Sequence, residues 1–268
     1  MPLDDRPVAL VSSADGYVGP ALCRNLARSG FDLVAVGASQ QQGDDLAALG
    51  AAVEVVPSTE AGPLTDGAAW EGLVARAVAR FGRIDSAALS APAGPGAAVA
   101  RGPFLEADVS ALTDMYGYLH NTLHALQAVI PVMQRGRGGQ VVVFTSDAGA
   151  RPEAGWSLYG AVRAGQNFLV RAVALEHAHE GICINAIGSK NAVFPGFQFP
   201  GFPPPPPGMV SDAHAEPGEW SHRLVDETPL RRMGTMEELA AFATALLDGR
   251  NRFQTAQYFS FSGGWNTL

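Results

Sequence analysis

Short apolar runs recur along this chain at intervals that leave room for one amphipathic stretch between neighbours, and few architectures admit that rhythm. Val8–Val11, Leu33–Val36, Val53–Val56, Ser86–Leu89, Val141–Phe144, Cys183–Ile187 and Tyr258–Phe261 read as strands. Between them, Val18–Arg28, Asp114–Met133 and Ser157–Glu180 read as helices. The second repeats Met115, Leu119, Leu123, Leu126 and Ile130 at helical spacing, and the third has Phe168, Val170, Val173 and Leu175 as apolar members. Strands buried on both faces need helices above and below, and parallel neighbours need a crossover of that length. The expectation is an α/β chain: a single-domain, Rossmann-like, doubly wound parallel sheet flanked by helices, spanning residues 1–268.

Charge narrows the partners. With 18 basic against 26 acidic side chains the net charge is −8, which repels phosphate backbones and anionic lipid, so neither nucleic acid nor membrane is expected as a partner. No leader pattern opens the chain and no apolar run is long enough to span a bilayer, so a cytoplasmic location is expected. Cys23 and Cys183 sit among apolar neighbours and read as buried thiols. His120 and His124 stand four apart on a helix with no acid or thiol at ligand spacing, so no metal site is expected.

One segment breaks the rhythm. From Ser189 to Trp220 the chain carries Phe194, Pro195, Phe197, Phe199, Pro200 and Phe202, then prolines from Pro203 to Pro207. Proline removes backbone donors, so 189–222 reads as an aromatic, irregular insert. A surface excursion or subunit contact is one reading. Because it follows the C-terminal end of the sixth strand, where open α/β sheets place ligands, a pocket wall or lid is the preferred one.

The first strand runs into Ser12-Ser13-Ala14-Asp15-Gly16-Tyr17-Val18-Gly19, which resembles the opening Thr-Gly-x-x-x-Gly-x-Gly of the short-chain dehydrogenase/reductase family. Aligned on Gly19, the first glycine of that pattern falls at Ser13 and the second at Tyr17. The second glycine lets backbone approach a pyrophosphate, and a tyrosine ring there fills the space. At the end of the second strand stands Gly37-Ala38-Ser39-Gln40, neither the acid of an NAD site nor the arginine of an NADP site, and Leu89-Ser90-Ala91-Pro92 replaces the family's Asn-Asn-Ala-Gly. The expectation is a site without a dinucleotide and without any cofactor.

After the fifth strand come Ser146, then Tyr159 thirteen residues on and Arg163 four beyond it. Tyr159 and Arg163 share one helix face. Free tyrosine titrates near about 10, and a neighbouring guanidinium favours the phenolate, so Arg163 would activate Tyr159 as a base while Ser146 donates to a substrate hydroxyl. Ser146 and Tyr159 match the family's catalytic serine and tyrosine. Arg163 stands where its dehydrogenases carry lysine, and the single lysine of the chain is Lys190.

The Ser-Tyr-Arg triad, the aromatic Tyr17 and the missing ribose acid resemble the halohydrin dehalogenases of that superfamily, closest to G-type members through Arg6-Pro7-Val8-Ala9-Leu10, Phe194-Pro195-Gly196-Phe197 and Phe261-Ser262-Gly263-Gly264-Trp265. That resemblance implies a cofactor-independent carbon–halide lyase, closing vicinal haloalcohols to epoxides and opening epoxides with azide, cyanide or nitrite. It implies a halide site from Tyr17, Ser189, Asn191 and Ala192, although Ser189-Lys190-Asn191 departs from the usual Pro-Asn-Tyr or Thr-Asn-Tyr. Lys190 reads as exposed, or else as an added cation there. By position, Pro92, Ala148, Trp156 and Phe197 would face the substrate, and each could equally be core. Tyr118 replaces an active-site asparagine. The two long helices imply a homotetramer. Two alternatives stand beside this: an NAD(P)-dependent oxidoreductase with a degenerate cofactor site, and a non-catalytic binding protein on the same scaffold.

Overall fold

The computed structural model describes residues 6–90, 102–190, 192–193 and 222–267. Seven strands, β1 (Val8–Val11), β2 (Asp32–Val36), β3 (Val53–Val56), β4 (Ser86–Ser90), β5 (Gly139–Ser146), β6 (Ile182–Ser189) and β9 (Tyr258–Phe261), form one parallel sheet in the order β3-β2-β1-β4-β5-β6-β9. A second, two-stranded ladder joins β7 (Ala192–Val193) to β8 (Gly234–Thr235). The helices are α1 (Gly19–Arg28), α2 (Gln40–Ala47), α3 (Ser58–Ala61), α4 (Gly67–Phe81), α5 (Val109–Met115), α6 (Gly117–Arg135), α7 (Ser157–His177), α8 (His222–Glu227) and α9 (Met236–Leu247).

The core lies on both faces of the sheet, as its buried strands require. Leu10, Val34, Trp70, Leu73, Val129, Met133 and Ile184 pack on one side with α4 and α6, and Val11, Leu22, Leu26, Leu33, Val142, Leu239 and Leu247 on the other with α1 and α9. Each such large side chain contributes roughly 1.5–3 kcal/mol on burial. Cys23 and Cys183 are buried free thiols. No helix among the described residues is long and apolar enough to cross a membrane.

Strand order reverses between β1 and β4, and the crevice at that switch point opens toward the C-terminal strand ends. The two central strands run further than their apolar residues suggest. β5 continues through Thr145 to Ser146 and β6 through Gly188 to Ser189, and the ladder pairs Ser146 with Ser189 and Ser189 with Phe261. Two serines thus stand side by side at the rim. The helix expected over Asp114–Met133 is instead two, breaking at Tyr116 between α5 and α6. On α7, Val170 is buried, whereas Phe168 and Leu175 are 73% and 71% exposed and turn away from the core they were expected to join.

Candidate active site

Two glycines let α7 reach the end of β5. The strand leads into a tight turn at Asp147–Gly149, and a Cβ on Gly149 would lie 2.5 Å from the Arg163 carbonyl carbon. One on Gly160 would lie 2.9 Å from the Ala148 carbonyl oxygen. Backbone therefore packs on backbone, and the first turns of α7 deliver Tyr159 and Arg163 to the rim that carries Ser146. Ser146 is buried and its Oγ accepts from the Ala148 amide at 3.3 Å.

Aromatic rings line this corner. Tyr159 meets Trp156 edge-on with centroids 5.3 Å apart, and Tyr118 from α6 at 6.0 Å. The Arg163 guanidinium carbon lies 3.5 Å from the Tyr118 ring centroid and 5.1 Å from that of Tyr159. Of the expected pocket residues, Trp156 stands against Tyr159 and Ala148 is buried in the turn after Ser146. Pro92, Phe197 and Asn191 lie outside the described residues, as does most of the 189–222 insert.

Across the crevice, Tyr17 adopts a left-handed backbone, φ 53°. Its ring meets Phe144 of β5 edge-on at 6.0 Å, and its hydroxyl shares a 2.6 Å hydrogen bond with Ser189 Oγ. Burial pushes this phenol up to about 12, the bond with Ser189 offsetting part of the rise. Of the other residues expected to cradle a halide, Ser189 and Ala192 are described and both lie in strands. Ser189 belongs to the β6 ladder, the Lys190 amide donates to the Phe261 carbonyl at 3.1 Å, and Ala192 pairs with Gly234.

Lys190 is half-buried rather than exposed. Its Nζ is 2.7 Å from Glu153 Oε2 with the side chain 10% exposed, and it lies 4.9 Å and 4.6 Å from the Trp156 and Trp265 ring centroids. Ion pairing and two aromatic faces replace the water a lone lysine would need. The sequence reading also passed over Asp147. This wholly buried carboxylate accepts from Ser260 Oγ at 2.6 Å, from the Tyr258 hydroxyl and from Asn266 Nδ2 at 3.4 Å. Burial raises its pKa, against the pull of hydrogen bonds from Ser260, Tyr258 and Ser262 and of the Lys190 charge. Gly188 makes room for this network, since a Cβ there would fall on the Tyr258 hydroxyl. An acid directly after Ser146, followed far along by Tyr258-Phe259-Ser260, was the available signal, but it carries no fixed spacing.

Comparison with known proteins adds the chemical context. A family profile described as short chain dehydrogenase matches residues 7–191. The chain is 31% identical over 264 residues to BbsC, a hydroxy(phenyl)methylsuccinyl-CoA dehydrogenase subunit of Thauera aromatica, covering 96% of this chain and 93% of that one. It is 27% identical to a cyclohexanol dehydrogenase of a Rhodococcus species, covering 96% and 95%. A structure described as ElxO with NADP bound superposes with a TM-score of 0.78 at 16% identity, covering 98% of this chain and all of that one, a likeness of fold.

These relatives overturn the cofactor-independent carbon–halide lyase expected from Tyr17, Ser146, Tyr159 and Arg163: proteins alike along nearly the whole chain are named dehydrogenases. The physical reason for the misreading is that a serine and a tyrosine holding a hydroxyl oxygen serve hydride transfer as readily as epoxide closure, so the triad does not discriminate between them.

Proposed function

Because the chain belongs to the short-chain dehydrogenase family, we propose that it is an oxidoreductase interconverting a secondary alcohol and its ketone, with Tyr159 passing the proton at the substrate oxygen. The observation that carries this reading is the 31% identity with a dehydrogenase subunit along 96% of the chain. Both named relatives act, by their names, on a hydroxyl-bearing carbon, one in a ring and one beside a phenyl group. The rings of Trp156, Tyr118 and Tyr159 around the rim suit a substrate of that apolar kind. Ser146 donates to the substrate oxygen, and the Arg163 cation favours the ionised form of Tyr159 that accepts the proton when an alcohol is oxidised.

Members of the family exchange hydride with a nicotinamide dinucleotide. The residues at the β1–α1 turn do not fit that group as they are arranged. Gly19 keeps α1 tight on the end of β1, since a Cβ there would lie 1.7 Å from the Ser13 carbonyl oxygen. Yet the Tyr17 side chain spans from this turn to the end of β6, over the strand ends that a dinucleotide must cross. Incubation with NADH or NADPH and a panel of cyclic and aryl ketones, followed by loss of reduced-nicotinamide absorbance, tests the reading.

The same reading assigns α6 and α7 to contacts between copies. Leu123, Phe168 and Leu175 are exposed on them, and a homotetramer would cover them. Light scattering checks the assembly.

A further inference from the structure

The surroundings of Arg163 form a closed circuit. Its Nη1 donates to Gln166 Oε1 at 2.7 Å, Gln166 Nε2 donates to Thr122 Oγ1 at 2.8 Å, and Thr122 Oγ1 donates to the Tyr118 carbonyl at 2.9 Å. The ring of that same Tyr118 lies against the guanidinium, 3.5 Å from its carbon. All four are buried, with Tyr118 4%, Thr122 2%, Arg163 7% and Gln166 0% exposed.

Burying a guanidinium without a carboxylate is costly, and among the described residues no acid pairs with Arg163. The circuit supplies neutral substitutes: an aromatic face, which attracts a desolvated cation, and an amide oxygen, which orients it. A carboxylate in place of the amide would hold the side chain as firmly and cancel its field. A neutral partner leaves the positive charge uncompensated 5.1 Å from the Tyr159 ring.

Resting on the reading of Tyr159 as the proton-transfer group, we propose that Tyr118, Thr122 and Gln166 are positioning residues for Arg163, holding its charge undiluted beside Tyr159. Tyr118 supplies the platform, and Gln166, itself oriented by Thr122, fixes the guanidinium in its plane. The other titratable groups around this pair are Tyr17 from the β1–α1 turn, which interacts electrostatically with both Tyr159 and Arg163, and Asp147 from the turn beneath α7.

The test reads the ionisation of Tyr159 directly, with no turnover needed: tyrosinate absorbance against pH, for each protein minus the same protein carrying Tyr159→Phe. Gln166→Glu is nearly isosteric and should move the Tyr159 midpoint upward by about one pH unit, because it neutralises Arg163. Tyr118→Leu should also raise it, whereas Tyr118→Phe, which keeps the aromatic face, should leave it in place. Circular dichroism confirms that each variant is folded. A folded Gln166→Glu protein whose midpoint matches wild type would overturn the proposal, as would Tyr118→Phe shifting it as far as Tyr118→Leu. Failure of the oxidoreductase reading shows separately, as absence of hydride transfer with these titrations intact.

Discussion

Tyr17 and Ser189, 172 residues apart in the chain, share a 2.6 Å hydrogen bond that ties the β1–α1 turn to the end of β6. The tyrosine holds a backbone conformation, φ 53°, that favours glycine and costs a larger residue on the order of 1 kcal/mol. The contact with Phe144 and the bond to Ser189 offset that strain. Tyr17 therefore lies across the crevice with its backbone strain offset by these two contacts.

Ser189→Ala removes that bond between the β1–α1 turn and the end of β6. A net loss of about 1 kcal/mol from the closed form corresponds to roughly fivefold tighter binding of a dinucleotide that needs it open. Calorimetric titration with NADH and NADPH measures it. Equal affinity in wild type and variant would show that the bond does not guard the crevice.

Asp147 has a raised pKa in the folded protein, so the folded state holds this proton more tightly than the unfolded state. Its contribution is fully present below the ordinary carboxyl value of about 4 and is lost as pH rises through the folded value. Asp147→Asn removes that dependence. The stability of wild type relative to the variant should therefore fall as pH rises from about 4, by at most about 1.4 kcal/mol per pH unit. Urea midpoints across that range check the sign, and a difference that grows with pH would contradict it.

Gly149→Ala should destabilise the fold by about 1–3 kcal/mol, because the added carbon meets the backbone of Arg163 and Ala164 within 2.8 Å. Gly165→Ala on the same helix is the control. Its nearest neighbours are Leu119 methyls at 3.8 Å, so it should stabilise by about 0.5–1 kcal/mol through helix propensity. Thermal unfolding of the pair distinguishes a close helix contact from a general intolerance of change in α7.

The alternation of apolar strands and amphipathic helices was legible because both periods are written in side-chain hydropathy, and all seven strands of the main sheet lie where that pattern puts them. The ends of β5 and β6 were not, since Thr145, Ser146, Gly188 and Ser189 owe their strand conformation to neighbours in the ladder. Lys190 misled for a related reason: Glu153, Trp156 and Trp265, which partly bury it, are distant in sequence or belong to another element. Ser146, Tyr159 and Arg163 were singled out by spacing and by the family pattern, and they stand together at the rim between β5 and α7. The circuit of Gln166, Thr122 and Tyr118 was missed because a polar residue on an inner helix face has meaning only once the facing helix is known. The reaction was misread at Tyr17, where a ring in place of a glycine was taken to settle the chemistry, whereas what it describes is how the crevice is filled.

The central claim is that Tyr159 passes the proton at the oxygen of a secondary alcohol or ketone. The most direct test compares wild type with Tyr159→Phe in ketone-dependent consumption of NADPH or NADH. Wild type should turn over at least one cyclic or aryl ketone, and the variant, which keeps the ring and loses the ionisable oxygen, should be slower by about 10²–10⁴ with an unchanged circular dichroism spectrum. Wild-type protein that consumes neither nucleotide with any ketone of the panel, or a variant as fast as wild type, would contradict the account.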